Sequence, residues 1–269
     1  MLDVFNIPGQ QDNVKIFYSA GATAWQTWQK PRNCKFIWIM CIGAGNGGGG
    51  MSTSAIAGLS GAGSGAVTKA LFPSNVLPDI LYVQPGVGGI GGVSGGTNGG
   101  IGGRSYVSIS PSTVAINVAC ISGGTPATYN VAETVATTAL AGLLSLGNFT
   151  TTAGQAGTIS DLTPLVSTIT CGSVGNQTGN NPGYSILATT ISPLISGGAI
   201  GGVNGNHGIW SWKPLFGLGG AAGGGNNAGN GGKGGNGAYG CGGGCGGYGS
   251  VAGGAGGNGG DGLVIIATF

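Results

Sequence analysis

Charge is scarce in this sequence: eight Lys and Arg and six Asp and Glu among 269 residues, 5% of the chain, with a single histidine. Each shortage excludes a class of function. The basic residues are scattered from Lys15 to Lys233 and only two are arginine, so no stripe exists to neutralise a run of phosphates and nucleic acid is not expected as a partner. The lone histidine, His207, excludes two-histidine metal sites and argues against a Ser-His-Asp triad. The carboxylates Asp3, Asp12, Asp79, Glu133, Asp161 and Asp261 are far apart, and three of them sit near termini or turns, so a glycosidase pair is not expected. Long apolar runs are missing as well. The longest, Phe36 to Ile42 and Val135 to Leu146, fall well short of the ~20 residues of a membrane helix, so no membrane insertion is expected.

The six cysteines, at positions 34, 41, 120, 171, 241 and 245, are too sparse for a disulfide scaffold and are expected to be mostly reduced thiols. Those of CGGGC, Cys241 and Cys245, have neither zinc spacing nor a partner pair, so packing or a local disulfide explains them better. The opening MLDVFNIPGQ puts an acid and a proline where a secretory leader carries basic residues and then an apolar core, so synthesis in a cytoplasm without such a leader is expected. FIWIMCIGAGNGGGG sets Gly43, Gly45 and Gly48 in the spacing of a dinucleotide fingerprint. The following MSTSAIAGLSGAGSG is too glycine-rich for the required helix, and no acid lies between Asp12 and Asp79, so no cofactor is expected.

Glycine is what the chain has instead: 65 residues, roughly a quarter of the total against a usual ~7%. Disorder usually needs low hydrophobicity and high net charge, whereas here apolar residues make up 41%, the net charge is +2 and the mean hydropathy +0.29. Between Gly217 and Gly262, 26 of 46 residues are glycine, and the others recur every third position: Asn230, Lys233, Asn236 and Tyr239, then Ala252, Ala255, Asn258 and Asp261. Three is the period of the polyproline-II helix, not of an α-helix or a strand. With glycine at two positions of three and no proline after Pro214, a collagen triple helix is excluded. Gly86 to Gly103 repeats the pattern with Val87, Ile90 and Val93 in phase, which are expected to be buried along one face. Gly43 to Gly50 is a third tract. Ordering glycine costs more backbone entropy than any other residue, so the offset must come from hydrogen bonds between closely packed chains. Polyproline-II helices are therefore expected at Gly86 to Val93, Gly229 to Gly237 and Gly253 to Gly260, packed on one another.

Short β-prone runs lie between the tracts: Val14 to Tyr18, Phe36 to Ile42, Ala66 to Phe72, Ile80 to Gln84, Ser105 to Ser110, Val114 to Ile121 and Leu263 to Phe269. The expected fold is all-β, an antiparallel β-sheet or sandwich combined with packed glycine-rich polyproline-II helices. Leu263 to Phe269 is expected to pair near Phe36 to Ile42, since both are apolar on both sides and adjoin glycine tracts. A short helix is possible over Val131 to Leu146. The chain divides into an N-terminal β segment (1–42), a glycine-rich β region (43–122), a less glycine-rich insert (123–203) and C-terminal polyglycine helices with a closing strand (204–269).

The stretches TWQKPRNCKFIWIMCIGAGNGGGG, SGAVTKALFPSNVLPDILYVQPGVGGIGG and YGCGGGCGGYGSVAGGAGGNGGDGLVIIATF together resemble glycine-rich virion proteins of tailed bacteriophages, the tail-fibre and adhesin class. The resemblance covers under half of the chain and is compositional. It implies a virion component, a homo-oligomer and often a trimer, in contact with other virion proteins, whose polyglycine core holds loops against a bacterial surface receptor or glycan. A capsid-decoration protein and a polysaccharide depolymerase are the alternatives. Aromatic and amide side chains in small-residue surroundings suit such a receptor. The candidates are Asn176, Gln177, Asn180, Asn181 and Tyr184 in one loop, and Asn204, Asn206, His207, Trp210 and Trp212 in another.

Overall fold

The computed structural model describes residues 13–53, 61–114, 117–122, 147–152, 195, 197–199, 201–212 and 215–269. Strand β3 (Phe36–Ile42) and strand β11 (Leu263–Thr268) are runs of aromatic and branched apolar residues, which suit a pleated surface covered on both sides. They pair antiparallel, Leu263 opposite Ile42 and Ala267 opposite Trp38, as the sequence leads one to expect. Strand β1 (Val14–Tyr18) flanks β11, and β4 (Val67–Pro73) and β8 (Asn148–Thr152) follow β3, giving the order β1-β11-β3-β4-β8. A second antiparallel sheet has the order β2-β5-β6-β7, from Gln26–Gln29, Ile80–Gln84, Ser105–Ser108 and Val118–Ser122. Strands β9 (Trp210–Trp212) and β10 (Leu215–Gly217) form a hairpin. The fold is all-β.

Ile37, Ile39, Cys41, Ala70, Phe72, Val264 and Ile266 from the larger sheet meet Trp28, Leu81, Val83, Val107, Ala119 and Cys120 from the smaller in one buried core. Met40, Ile42, Val67, Leu263 and Ile265 on the opposite face are covered by Trp210, Trp212, Leu215 and Tyr239. Strand β11 therefore has both faces covered, which is why its six residues are all buried.

Glycine-rich segments continue the strands. We label them g1 (43–52), g2 (61–66), g3 (85–95), g4 (97–104), g5 (201–209), g6 (218–226), g7 (229–238), g8 (240–249) and g9 (252–262). Strand β3 runs into g1 and g2 into β4, and the pairing carries on past the strands as Gly43 N–H donates to Ala66 O at 2.9 Å. Likewise β5 leads to g3 and g4 to β6, with Gly103 N–H donating to Val87 O at 2.8 Å. In the sandwich, apolar side chains hold the two sheets apart, as they do in stacked sheets generally at about 10 Å. Where the side chains stop, the backbones close on each other: Ala44 N–H donates to Gly103 O at 3.0 Å and Gly262 N–H to Gly86 O at 2.8 Å. The Ser105 hydroxyl bridges the seam, donating to Ile42 O and accepting from Gly86 N–H.

The bonding in these segments has a period of three. In g1 the N–H groups of residues 44, 47 and 50 donate to 103, 100 and 97 in g4, and those of 45, 48 and 51 donate to 260, 257 and 254 in g9. Residues 43 and 46 donate to 66 and 63 in g2, while carbonyls of g1 accept from g3 and g8. Segment g8 is bonded in the same way to g1, g2, g6, g7 and g9. Successive amides of one segment are thus directed at different neighbours. The three tracts 86–93, 229–237 and 253–260 all take part in this bonding, with g9 bonded to both g3 and g7. Close approach explains the glycine: a Cβ at Gly48 would overlap the Gly244 carbonyl, and one at Gly256 the Gly48 carbonyl.

One expectation is corrected here, and one pair of alternatives is decided. Val87, Ile90 and Val93 are not a buried stripe: Val87 is half-buried, while Ile90 is 75% and Val93 66% exposed. Segment g3 lies on the rim of the lattice, and an interior that overlaps a single Cβ at most glycines has no room for an isoleucine. Of packing and a local disulfide, Cys241 and Cys245 show packing: both are buried in g8 with no disulfide between them. Most of the 123–203 insert, including the helix expected over Val131 to Leu146, lies outside the described residues.

Candidate functional site

Segments g5, g7, g9 and g3 lie side by side at one rim of the lattice. Gly205 and Gly208 in g5 donate to Lys233 O and Asn236 O in g7 at 2.8 and 2.7 Å, so these two run parallel. Segment g7 runs parallel to g9 through Gly231, Gly234 and Gly237, which donate to Ala252 O, Ala255 O and Asn258 O at 2.8 to 2.9 Å. Segment g9 is antiparallel to g3, with Gly256 and Gly259 donating to Gly92 O and Gly89 O. A period of three stacks the non-glycine residues of each segment on one side, about 9.3 Å apart. The rim therefore presents Asn204, His207 and, just beyond g5, Trp210 in one row. Asn230, Lys233, Asn236 and Tyr239 form the next, and Asn258 and Asp261 the third.

Among the described residues, side chains of the adjacent row supply the acceptors for several rim amides. Asn204 Oδ1 accepts from Lys233 N–H at 2.8 Å, and His207 Nδ1 accepts from Asn236 N–H at 2.9 Å. Asn236 Oδ1 then accepts from Asn258 N–H at 3.0 Å, and Asn258 Oδ1 from Gly91 N–H at 2.8 Å. Asp261 Oδ1 takes Gly88 N–H at 2.8 Å. One line of bonds thus crosses the rim from His207 through Asn236 and Asn258 to g3. A family described as a glycine-rich domain matches residues 19–268 of the chain. The chain belongs to that family. A comparison with curated proteins finds no match.

In this glycine-rich domain, the ladder fixes the side chains that carry it. An asparagine whose Oδ1 is held by a backbone amide must turn its Nδ2 the other way, and the Nδ2 atoms of Asn204, Asn236 and Asn258 make no bond to another described residue. His207 accepts at Nδ1, which leaves Nε2 on the far side of the ring from that amide. The rim is thus a set of held hydrogen-bond donors around one ammonium, Lys233, and one carboxylate, Asp261. At the sheet end stands an aromatic group, Trp210 at 5.5 Å from Tyr239 and 5.3 Å from Trp212, with Tyr18 5.5 Å from Tyr239. Burial pushes the Tyr239 phenol above its ordinary pKa, and Tyr18 and Asp261 add to the rise, so it stays protonated at neutral pH.

The structure brings three of the sequence candidates together on this rim: Asn204, His207 and Trp210. Trp212 lies one alternation further along β9, against the aromatic group, and Asn206 is out of phase, with its backbone carbonyl accepting from Ala221 N–H at 2.9 Å. Asn176, Gln177, Asn180, Asn181 and Tyr184 lie outside the described residues. The expectation that 204–212 is a loop is corrected: its first part is a lattice segment, and Trp210 and Trp212 are half-buried in a strand paired with β10. Sequence reasoning missed Asn230, Lys233, Asn236, Tyr239, Asn258 and Asp261 as site residues. Their signal was the shared phase of three, which marks one side of a segment as surely as i, i+3, i+4 marks a helix face. Among the described residues no three of His, Cys, Asp and Glu gather as metal ligands. The two described carboxylates are separately engaged, Asp79 by Lys30 and Asp261 by Gly88.

Proposed function

We propose that this glycine-rich domain is a non-enzymatic virion protein of a tailed bacteriophage, a tail-fibre or tail-tip adhesin that attaches the particle to its host. The observation that carries the reading is the rim. Its polar side chains are held by the backbone of a cross-bonded lattice, so they are ordered before any partner arrives, and pre-ordering is what a weakly charged binding surface needs to gain affinity. The likeness to glycine-rich virion proteins supplies the setting. The homo-oligomer belongs to the same proposal: Ile90, Val93 and Ile101, at 75, 66 and 58% exposure on adjacent segments g3 and g4, form an aliphatic edge of the kind that a subunit contact covers.

Two measurements test it. Gold-labelled antibody against the purified protein is expected at the tail tip of the particles; label spread over the capsid would replace the adhesin with a decoration protein. Host cells preincubated with the purified chain are expected to adsorb fewer particles. Unchanged adsorption on cells that also fail to retain the protein would overturn the proposal.

A further inference from the structure

We infer that the rim formed by g5, g7 and g9 binds an uncharged glycan chain, laid along g7 with one end against the Trp210 and Tyr239 rings. The inference rests on the adhesin reading and adds the class of ligand and its place, on the side of the lattice instead of on a loop.

The donors point to the ligand class. Asn204, Asn236 and Asn258 direct carboxamide N–H groups away from the lattice because their oxygens are already held. Such a surface suits a partner rich in acceptors, and sugar hydroxyls and ring oxygens are that. Charge separates the remaining classes. An anionic polymer requires clustered cations, and the rim offers one ammonium, Lys233, offset by the Asp261 carboxylate. A protein partner calls for an apolar centre, whereas the exposed aliphatic side chains lie outside the phase of the donor rows, Ile90, Val93 and Ile101 on g3 and g4, Val203 and Ile209 on g5 one or two positions from Asn204 and His207, and Val251 before g9. At one end Trp210 and Tyr239, packed edge-to-face on each other and on the core beneath, keep part of their apolar ring surface at the rim, where the CH groups of a sugar can rest. Repeat length agrees: residues in phase along one segment are about 9.3 Å apart, close to the length of a disaccharide unit in an extended glycan.

Aspartate separates the donor role of these asparagines from their structural one, since Asn→Asp keeps the oxygen that holds the backbone amide and removes the outward N–H groups. The test uses the full chain, its N204D/N236D/N258D variant and N227D as a charge control outside the rim, each followed by its melting transition. The probes are immobilised linear glucans, galactans and mannans, with polygalacturonate as the acidic arm. The wild type and N227D are expected to be retained on an uncharged polymer. The triple variant, folded, is expected to bind about tenfold more weakly or worse, from three lost donors of modest net strength. Should the triple variant misfold, N258D alone, at an exposed position, serves in its place. Retention of the wild type on polygalacturonate alone, retention on no probe, or equal binding by wild type and folded variant overturns the inference. The two readings fail separately. If both proteins block particle adsorption equally, the receptor site lies elsewhere on an adhesin; if the wild type neither coats cells nor blocks adsorption, the adhesin reading itself fails.

Discussion

Replacing Gly257 by alanine tests whether the lattice is held by backbone contact alone. Gly257 lies in g9 between g7 and g8, and an added Cβ would overlap the Gly235 carbonyl and stand 2.9 Å from Gly234 O. Both obstacles are backbone, so no side chain can swing aside and the two segments must separate. The bonds at risk are Gly234 N–H to Ala255 O at 2.9 Å, Gly237 N–H to Asn258 O at 2.8 Å and Asn258 N–H to Asn236 Oδ1 at 3.0 Å. A separation of about 1 Å takes all three beyond hydrogen-bonding length. At about 1 to 2 kcal/mol for each bond broken without replacement, the cost is about 3 to 6 kcal/mol. That is a large part of the usual 5 to 15 kcal/mol of a domain. Gly225→Ala is the matched control: its Cβ would find only Tyr248 O, at 3.9 Å, so the expected change is within about 1 kcal/mol, of either sign. Urea titrations followed by tryptophan fluorescence give both values, with the Gly257→Ala midpoint expected to fall by about 1 M or more. A Gly257→Ala protein within about 0.5 kcal/mol of wild type would refute the close-packing argument.

Truncation after Gly262 removes the strand that lies between β1 and β3 and is expected to prevent folding; a truncated chain with a cooperative melting transition would contradict this. Burial, then the neighbouring Cys120 thiol, holds the Cys41 pKa well above its ordinary value. The unfolded chain therefore releases this proton first as pH rises, and the contribution of Cys41 to stability, complete below the ordinary thiol range near pH 8.5, declines above it. Denaturant midpoints at pH 8 and pH 10 check the sign, and a thiol reagent is expected to reach Cys41 only on unfolding. Lys30 donates to Ser74 O at 3.0 Å and Leu77 O at 2.9 Å and pairs with Asp79, whose side chain is 85% exposed. Asp79→Ala is accordingly expected to cost under about 0.5 kcal/mol, and Lys30→Ala about 1 to 2 kcal/mol because two carbonyls lose their donor. Equal losses on urea titration would show that the ion pair, not the carbonyl bonds, matters.

Much of this architecture was legible because glycine and the apolar strands speak in different periods. β1, β3 and β5 fall on the residues expected, and the period of three in g7 and g9 foretold the bonding between them. Strand β2 was not legible: in QTWQ only Trp28 is buried, so no alternation stands out, and the polar NFTTT of β8 gives no more. The reading of Val87, Ile90 and Val93 failed for a reason peculiar to this fold. Apolar residues in phase signal burial when side chains build the core. Here backbone builds it, and the side chains that do enter are small or slender, Ala44, Ala62, Ala221, Cys241 and Cys245 among them. The rim was half legible. Asn204 and His207 were singled out as loop residues, whereas their acceptor atoms serve g7, a role visible only once the neighbouring segment is in place.

A core of backbone also changes how such a protein can vary. In an ordinary interior a lost methyl group can be offset by a larger neighbour, so sequences drift through paired substitutions without changing shape. At a position such as Gly48, wedged against the Gly244 carbonyl, no neighbour can shrink to make room, and second-site rescue is closed off. Heritable change is driven outward to exposed positions such as 230 and 233. The interior stays fixed while exposed positions vary, so one lattice can carry different surfaces without being rebuilt.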